Sequence, residues 1–198
     1  APLDAGMPYP LFAYCGLLAW NFTASSLRFA VNSLTSNSQL VTKVYFPREI
    51  FPISAVLVSV VDFAVGSIVL IGLMVYYGIV PTAAVLALPL VFVTHAMFTL
   101  SISLLLAMGN LFYRDVKYLF ELMITIWMFM TAVLYPVSRV GGLMAKVMVL
   151  NPMTPIIDGY RDVLLRGHLL ITTLVSALLL VMSWVMFHRG ESAFAENI

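Results

Sequence analysis

Residues 53–77 carry a single charge, Asp62, in a run long enough to cross a membrane as one helix, since a hydrocarbon core of about 30 Å takes roughly 20 apolar residues. Comparable runs recur at about 10–34, 83–111, 119–135 and 169–187, separated by short polar breaks. Backbone polar groups in lipid must be satisfied within the chain, which leaves helices or a closed barrel. Alternating ten-residue strands are absent, so the barrel is excluded. The expected fold is an all-α integral membrane domain over residues 1–198 with about five transmembrane helices. Composition agrees, at 62% hydrophobic and 10% charged residues and a mean hydropathy of +1.03. A net charge of +1 gives no ground for a nucleic-acid partner, and Cys15 stands alone without an internal disulfide partner. The chain opens Ala1-Pro2-Leu3 without a methionine or a basic leader, so no signal peptide is visible and its true start is open.

The charges missing from the first two runs collect between them, from Ser36 to Pro52. Leu40, Val41, Val44 and Tyr45 fall at helical spacing with Gln39, Thr42 and Lys43 between them, which predicts a short amphipathic helix over about 37–46. Pro47 stops it, because proline lacks a donor and turns Phe46 away from the α region, and Pro52 repeats the signal before the next run. This is either a tight turn at the headgroups or a docking knob for a cytosolic partner.

Polar residues inside the runs are patterned. Asn21, Ser25, Arg28 and Asn32 are spaced by four, three and four, hence on one face of the first helix, and such a stripe must meet protein or water. It reads as helix-to-helix glue or as the wall of a translocation path. Asp62, roughly 15 Å into its span, is expected to face the bundle interior beside a partner. Pro89 predicts a kink in the third span. Glu121 follows Lys117 by four and is expected to pair with it, while Phe120, Met123, Trp127, Thr131 and Leu134 give the fourth span an aromatic, polarizable face that is either packing or a ligand track.

From Val137 to His168 the chain is too polar to span and too hydrophobic for a loop. A short amphipathic helix from Gly141-Gly142 to about Leu150, the break Asn151-Pro152-Met153-Thr154-Pro155 with Thr154 as cap, and a second helix through Asp158, Tyr160, Arg161 and Arg166 are predicted to lie on or dip into one membrane face. In an alternating five-span arrangement Lys43, Arg48, Arg114, Lys117 and Arg189 share one side, which is therefore cytoplasmic. The segment 137–168, with Arg139, Lys146, Arg161 and Arg166, lies outside against that rule, as a folded unit rather than a simple loop.

Val44-Tyr45-Phe46-Pro47-Arg48-Glu49-Ile50, Phe112-Tyr113-Arg114-Asp115-Val116, Tyr135-Pro136 and Asn151-Pro152 followed by Tyr160-Arg161 resemble the permease subunit of ABC-2 type exporters, in the branch that exports lipid-linked polysaccharide such as O-antigen, capsule or teichoic acid. The similarity runs over nearly the whole chain. Members of that family have six spans and an amphipathic helix before the first, and Pro8-Tyr9-Pro10-Leu11-Phe12 with Trp20-Asn21 resembles the start of their second span, so the first is expected to be missing here. The resemblance implies a bacterial inner-membrane protein, acting as a homodimer with an ABC ATPase subunit on a lipid-linked glycan. It implies a coupling helix that engages the ATPase through Leu40, Val41, Lys43, Val44, Tyr45, Phe46, Arg48 and Glu49. A path would be lined by Trp20, Asn21, Ser25, Arg28, Asn32, Phe120, Met123 and Trp127. Helices over about 140–167 would form an external gate using Asn151, Pro152, Tyr160 and Arg161, with tyrosine and arginine presented to a sugar or phosphate; the alternative is a rigid plug that holds the fourth and last spans together.

No G-x-x-x-x-G-K-[ST] phosphate loop occurs, so ATP and Mg are expected on the partner subunit and no cofactor in this chain. His95, His168 and His188 fall at different depths and cannot share a metal ion, and no catalytic spacing is present. Three rivals remain: an ABC-2 exporter of a small drug or lipid, a membrane-embedded transferase using Asp62 or His95 as base, and a passive channel or scaffold, which would have no use for the knob before Pro47-Arg48-Glu49.

Overall fold

The computed structural model describes residues 8–36, 49–80, 82–113, 115–136 and 140–166, and these form helices joined by turns. They are α1 (Tyr9–Ser36), α2 (Ile50–Tyr76), a 3-10 turn (Ala83–Ala87) running into α3 (Leu88–Phe112), α4 (Val116–Phe129), α5 (Gly142–Leu150) and α6 (Met153–Arg161), which continues into one π-helical turn at Asp162–Arg166. Two of them, Ile50–Tyr76 and the combined Ala83–Phe112, are long and apolar enough to cross a membrane. The expected final span, 169–187, lies outside the described residues.

The least apolar of the three long helices is the central one. α1 packs against α2, α3, α4 and α6, and its buried residues, among them Leu11, Cys15, Leu18, Ala19, Leu27 and Val31, form the middle of the main hydrophobic cluster. Its neighbours cover Thr23 and Ser26, while Asn21, Arg28 and Asn32 stay exposed. α2 does the opposite: Leu57, Val61, Val65, Ile68 and Val75 are all exposed, which suits a lipid-facing surface.

Proline positions differ from expectation in an instructive way. Pro89 lies in the first turn of α3 rather than inside it, and the residues before it take the 3-10 turn. Pro52 falls likewise within the first turn of α2, which starts three residues earlier than expected. In a first turn the missing N–H has no intrahelical acceptor to lose, so neither proline bends a helix. The fourth helix is also shorter than expected. α4 begins at Val116 and ends at Phe129, after which residues 130–135 form turns. Its 14 residues reach about 21 Å, short of a full hydrocarbon core.

Two glycines take left-handed backbone, Gly78 (φ 66°) after α2 and Gly142 (φ 68°) at the start of α5; these are the conformations that L side chains avoid. The break after α5 is capped by a different residue from the one expected. Asn151, not Thr154, accepts the Met153 N–H through Oδ1 at 3.1 Å, and α6 starts at Met153, with Thr154 buried.

Candidate functional site

The stripe on α1 faces a groove. Tyr14 donates its hydroxyl to the Gly66 carbonyl (3.0 Å), and eleven residues further along α1 Ser25 Oγ meets Ser59 Oγ (3.2 Å). Numbers rise on α1 while they fall on α2, so the two helices are antiparallel. Between them lies a groove of ≈ 320 Å³ whose polar lining is Asn21, Ser25, Arg28, Ser59 and Asp62, with Phe22 and Phe63 among its apolar residues. Asn21, Arg28 and Asn32 are exposed and Ser25 half-buried; Asn32 continues the stripe beyond the groove.

The charges of the groove pair differently from expectation. Arg28 Nε lies 3.3 Å from Glu121 Oε2, with the two side chains 50% and 53% exposed. Glu121 therefore serves α1 across the bundle rather than Lys117 on its own helix. Lys117 Nζ sits 4.7 Å from the centroid of the Tyr118 ring. Asp62 does not face the interior: it is exposed at the rim of the groove and makes no hydrogen bond or ion pair among the described residues.

The aromatic residues expected along the same path are scattered by the packing. Trp20 is buried and stands edge-on to half-buried Trp127 at 5.6 Å, Phe120 is in the core, and Met123 is exposed on another face of α4. Trp127 Nε1 donates to Asn151 Oδ1 (3.0 Å), and the Asn151 amide donates to the Met130 carbonyl (3.1 Å) and Thr131 Oγ1 (2.7 Å). One asparagine thus ties the end of α4 to the start of α6, and Pro152 follows it at the turn.

Tyr160 and Arg161 point inward, against the expectation that they face a ligand. Arg161 is fully buried. Its Nη1 donates to the Ala132 carbonyl (2.7 Å) and lies 3.3 Å from Asp158 Oδ1. Its Nη2 donates to the carbonyls of Val133 (2.5 Å) and Phe12 (3.4 Å), and its guanidinium carbon stands 3.6 Å from the centroid of the Phe12 ring. A planar fork of donors is suited to gathering carbonyls from two segments, and its weak hydration lowers the cost of burial. The last residue of α6 is thereby bound to the turn after α4 and to the first turn of α1.

Sequence reasoning missed the polar tie through the core. His95 is buried on α3, with Nε2 2.6 Å from Thr23 Oγ1 and Nδ1 3.2 Å from the Tyr160 hydroxyl. Thr23 also approaches Thr99 Oγ1 at 3.4 Å and Met153 Sδ at 3.7 Å. Hydroxyls can donate or accept, so both ring nitrogens are satisfied whichever carries the proton. Both are also enclosed, which leaves His95 no open side for a substrate. The available signal was the spacing of His95 and Thr99, four apart and so on one face of a span. Of the coupling residues, Leu40, Val41, Lys43, Val44, Tyr45, Phe46 and Arg48 lie outside the described residues; Glu49 occupies the turn before α2, half-buried.

A helical bundle with two helices long and apolar enough to cross a membrane, and with polar side chains buried where α1 and α3 pack, fits a multi-pass membrane protein. The chain belongs to the ABC-2 type transporter family, whose description matches residues 6–165. It is similar to the O-antigen export system permease protein RfbA of Myxococcus xanthus, with 29% identity over 198 residues, 96% of this chain and 76% of that protein. It is also similar to the protein of the same name from Klebsiella pneumoniae, with 27% identity over 194 residues, 95% of this chain and 75% of that protein. The family resemblance carried by the motifs therefore stands.

Proposed function

We propose that the chain is the permease subunit of an ATP-driven exporter that moves lipid-linked polysaccharide out of the bacterial cytoplasm across the inner membrane. In this reading it works as a homodimer with a separate ABC ATPase subunit that holds ATP and Mg. The residues about 37–46 engage the ATPase in this reading. The observation that carries the reading is the groove between α1 and α2. A row of exposed Asn21, half-buried Ser25 and exposed Arg28 beside Ser59 and Asp62 is costly in lipid and useful beside a polar cargo. Arg28 on its half-exposed ion pair is placed to take an anionic headgroup, since guanidinium binds phosphate oxygens bidentately. The names of the relatives support a glycan as cargo.

The α5–α6 pair is proposed as the external gate, acting as a body rather than through ligand contacts: Asn151 and Arg161 hold it to α4 and α1, and Tyr160 seats it on α3. A reducible cross-link between α6 and the first turns of α1 stops export in this reading, and reduction restores it. Undiminished export by the locked form overturns the gate.

A second reading, export of a small drug or lipid, is favoured by an apolar cavity of ≈ 300 Å³ lined by Cys15, Leu18, Phe63, Leu70, Met74 and Leu164, among others. One experiment separates the two. The permease is co-purified with an ATPase subunit, reconstituted, and its ATP turnover followed with polyprenyl-diphosphate glycans or with apolar small molecules. Arg28→Gln weakens stimulation by the lipid diphosphate more than basal turnover if the groove takes the headgroup. Stimulation by apolar compounds alone supports the second reading.

A further inference from the structure

The acid at the groove has no structural task. Asp62 lies on a lipid-suited helix, at the rim beside exposed Val58 and Val65, with no hydrogen bond or ion pair among the described residues. An intramembrane carboxylate is expensive, and one without a partner on neighbouring helices points to a ligand.

Its position relative to Arg28 follows from the antiparallel packing. Ser25 and Ser59 touch; Arg28 is three residues beyond Ser25 and Asp62 three residues beyond Ser59, in opposite directions along the groove. Each step of three is about 4.5 Å, so the cation and the acid are roughly 9 Å apart along the axis. Asn21, four residues before Ser25, lies toward the Asp62 end, exposed, and its side-chain amide makes no hydrogen bond among the described residues. Next to Asp62 the wall includes half-buried Phe63, which is edge-on to Phe22 at 5.6 Å and stacked on Phe92 at 5.4 Å through one face.

A carboxylate that accepts, an amide that donates and accepts, and an aromatic ring are complementary to a sugar. Sugar hydroxyls donate to carboxylates and satisfy amides, and the C–H face of a pyranose packs on an aromatic ring. An apolar cargo would leave the Asp62 charge desolvated and unpaired, which is costly. We infer that Asp62, Asn21 and Phe63 form a subsite for the sugar next to the phosphate held by Arg28, so that the groove reads a glycosyl phosphate as one unit. This rests on the export reading above and adds to it the residues that distinguish a glycosylated carrier from a bare one.

The test uses the complete permease–ATPase complex in proteoliposomes and two probes, a polyprenyl diphosphate and the same carrier bearing a short oligosaccharide, with half-maximal concentration for ATPase stimulation as readout. The wild type prefers the glycosylated probe by about tenfold, the worth of one hydrogen bond to a charged group at the low end. In Asp62→Ala the ratio collapses toward one, and Phe63→Leu reduces it part of the way. A second measurement needs no turnover: Asp62→Cys in a Cys15→Ser background is labelled with a maleimide, and the glycosylated probe slows labelling while the bare carrier does not. An unchanged probe ratio in Asp62→Ala, or equal protection by both probes, overturns the subsite and leaves the export reading standing. Failure of both probes to stimulate the wild type removes the export reading and the subsite with it.

Discussion

Gly16 on α1 faces the Arg161 guanidinium so closely that a Cβ at Gly16 would clash with both Nη2 and the Val133 carbonyl oxygen that Nη2 donates to. The arginine and the glycine are one feature. α1 approaches the turn after α4 closely because it carries no side chain there, and the donor fork of Arg161 fills what remains.

Gly16→Ala is therefore expected to destabilise the protein by about 1–3 kcal/mol, the usual cost of overpacking a close contact. The groups it meets are backbone and a fully buried side chain, neither of which can move aside cheaply. Thermal unfolding of the purified protein in detergent checks this; an unchanged midpoint contradicts it.

Arg161→Lys keeps the charge and loses the fork. A lysine ammonium cannot reach the carbonyls of Phe12, Ala132 and Val133 in one plane, so a loss of about 2 kcal/mol is expected. Protease accessibility of the α5–α6 segment rises with it. If lysine substitutes without cost, the charge rather than the geometry holds α6.

The tie between His95 and Tyr160 is measurable by a double-mutant cycle. His95→Leu leaves two buried hydroxyls without their ring partner and Tyr160→Phe removes one of them. Their effects on unfolding are expected to be non-additive by about 0.6 kcal/mol, the average for side-chain hydrogen bonds between membrane helices, and by no more than about 1.7 kcal/mol. Strict additivity means that the two residues are neighbours without coupling.

Arg28 and Glu121 are half-exposed, so their pair contributes less than about 1 kcal/mol to stability. Glu121→Gln leaves the unfolding midpoint nearly in place. In the export reading it also releases Arg28 and lowers the half-maximal concentration for lipid-diphosphate stimulation about threefold, within the worth of such a pair. Weaker stimulation in Glu121→Gln contradicts a competition between Glu121 and the headgroup for Arg28.

Replacing Val44 and Tyr45 together with Asp is expected to abolish ATP-coupled transport and recovery of the ATPase subunit, with the permease still in the membrane. This follows from the apolar spacing of that stretch, where two charges oppose docking into an apolar cleft. Transport and assembly that survive the double change overturn the coupling assignment.

The class of protein, the starts and ends of the long helices to within a few residues, and the stripe of Asn21, Ser25, Arg28 and Asn32 were legible in the sequence, because they depend on local periodicity and on what lipid forbids. Partnerships were not. Glu121 satisfies the i,i+4 rule with Lys117 and yet pairs with Arg28, because side-chain choices on one helix are settled by the helix packed against it. Asp62 reads as an acid in need of an interior partner, and the orientation of α2 puts it at a groove. Tyr160 and Arg161 read as a pair presented to a ligand; the approach of α6 to Gly16, Phe12 and His95 turns both into ties. Periodicity places a residue on a face of its own helix, and only the arrangement of the other helices decides what that face meets.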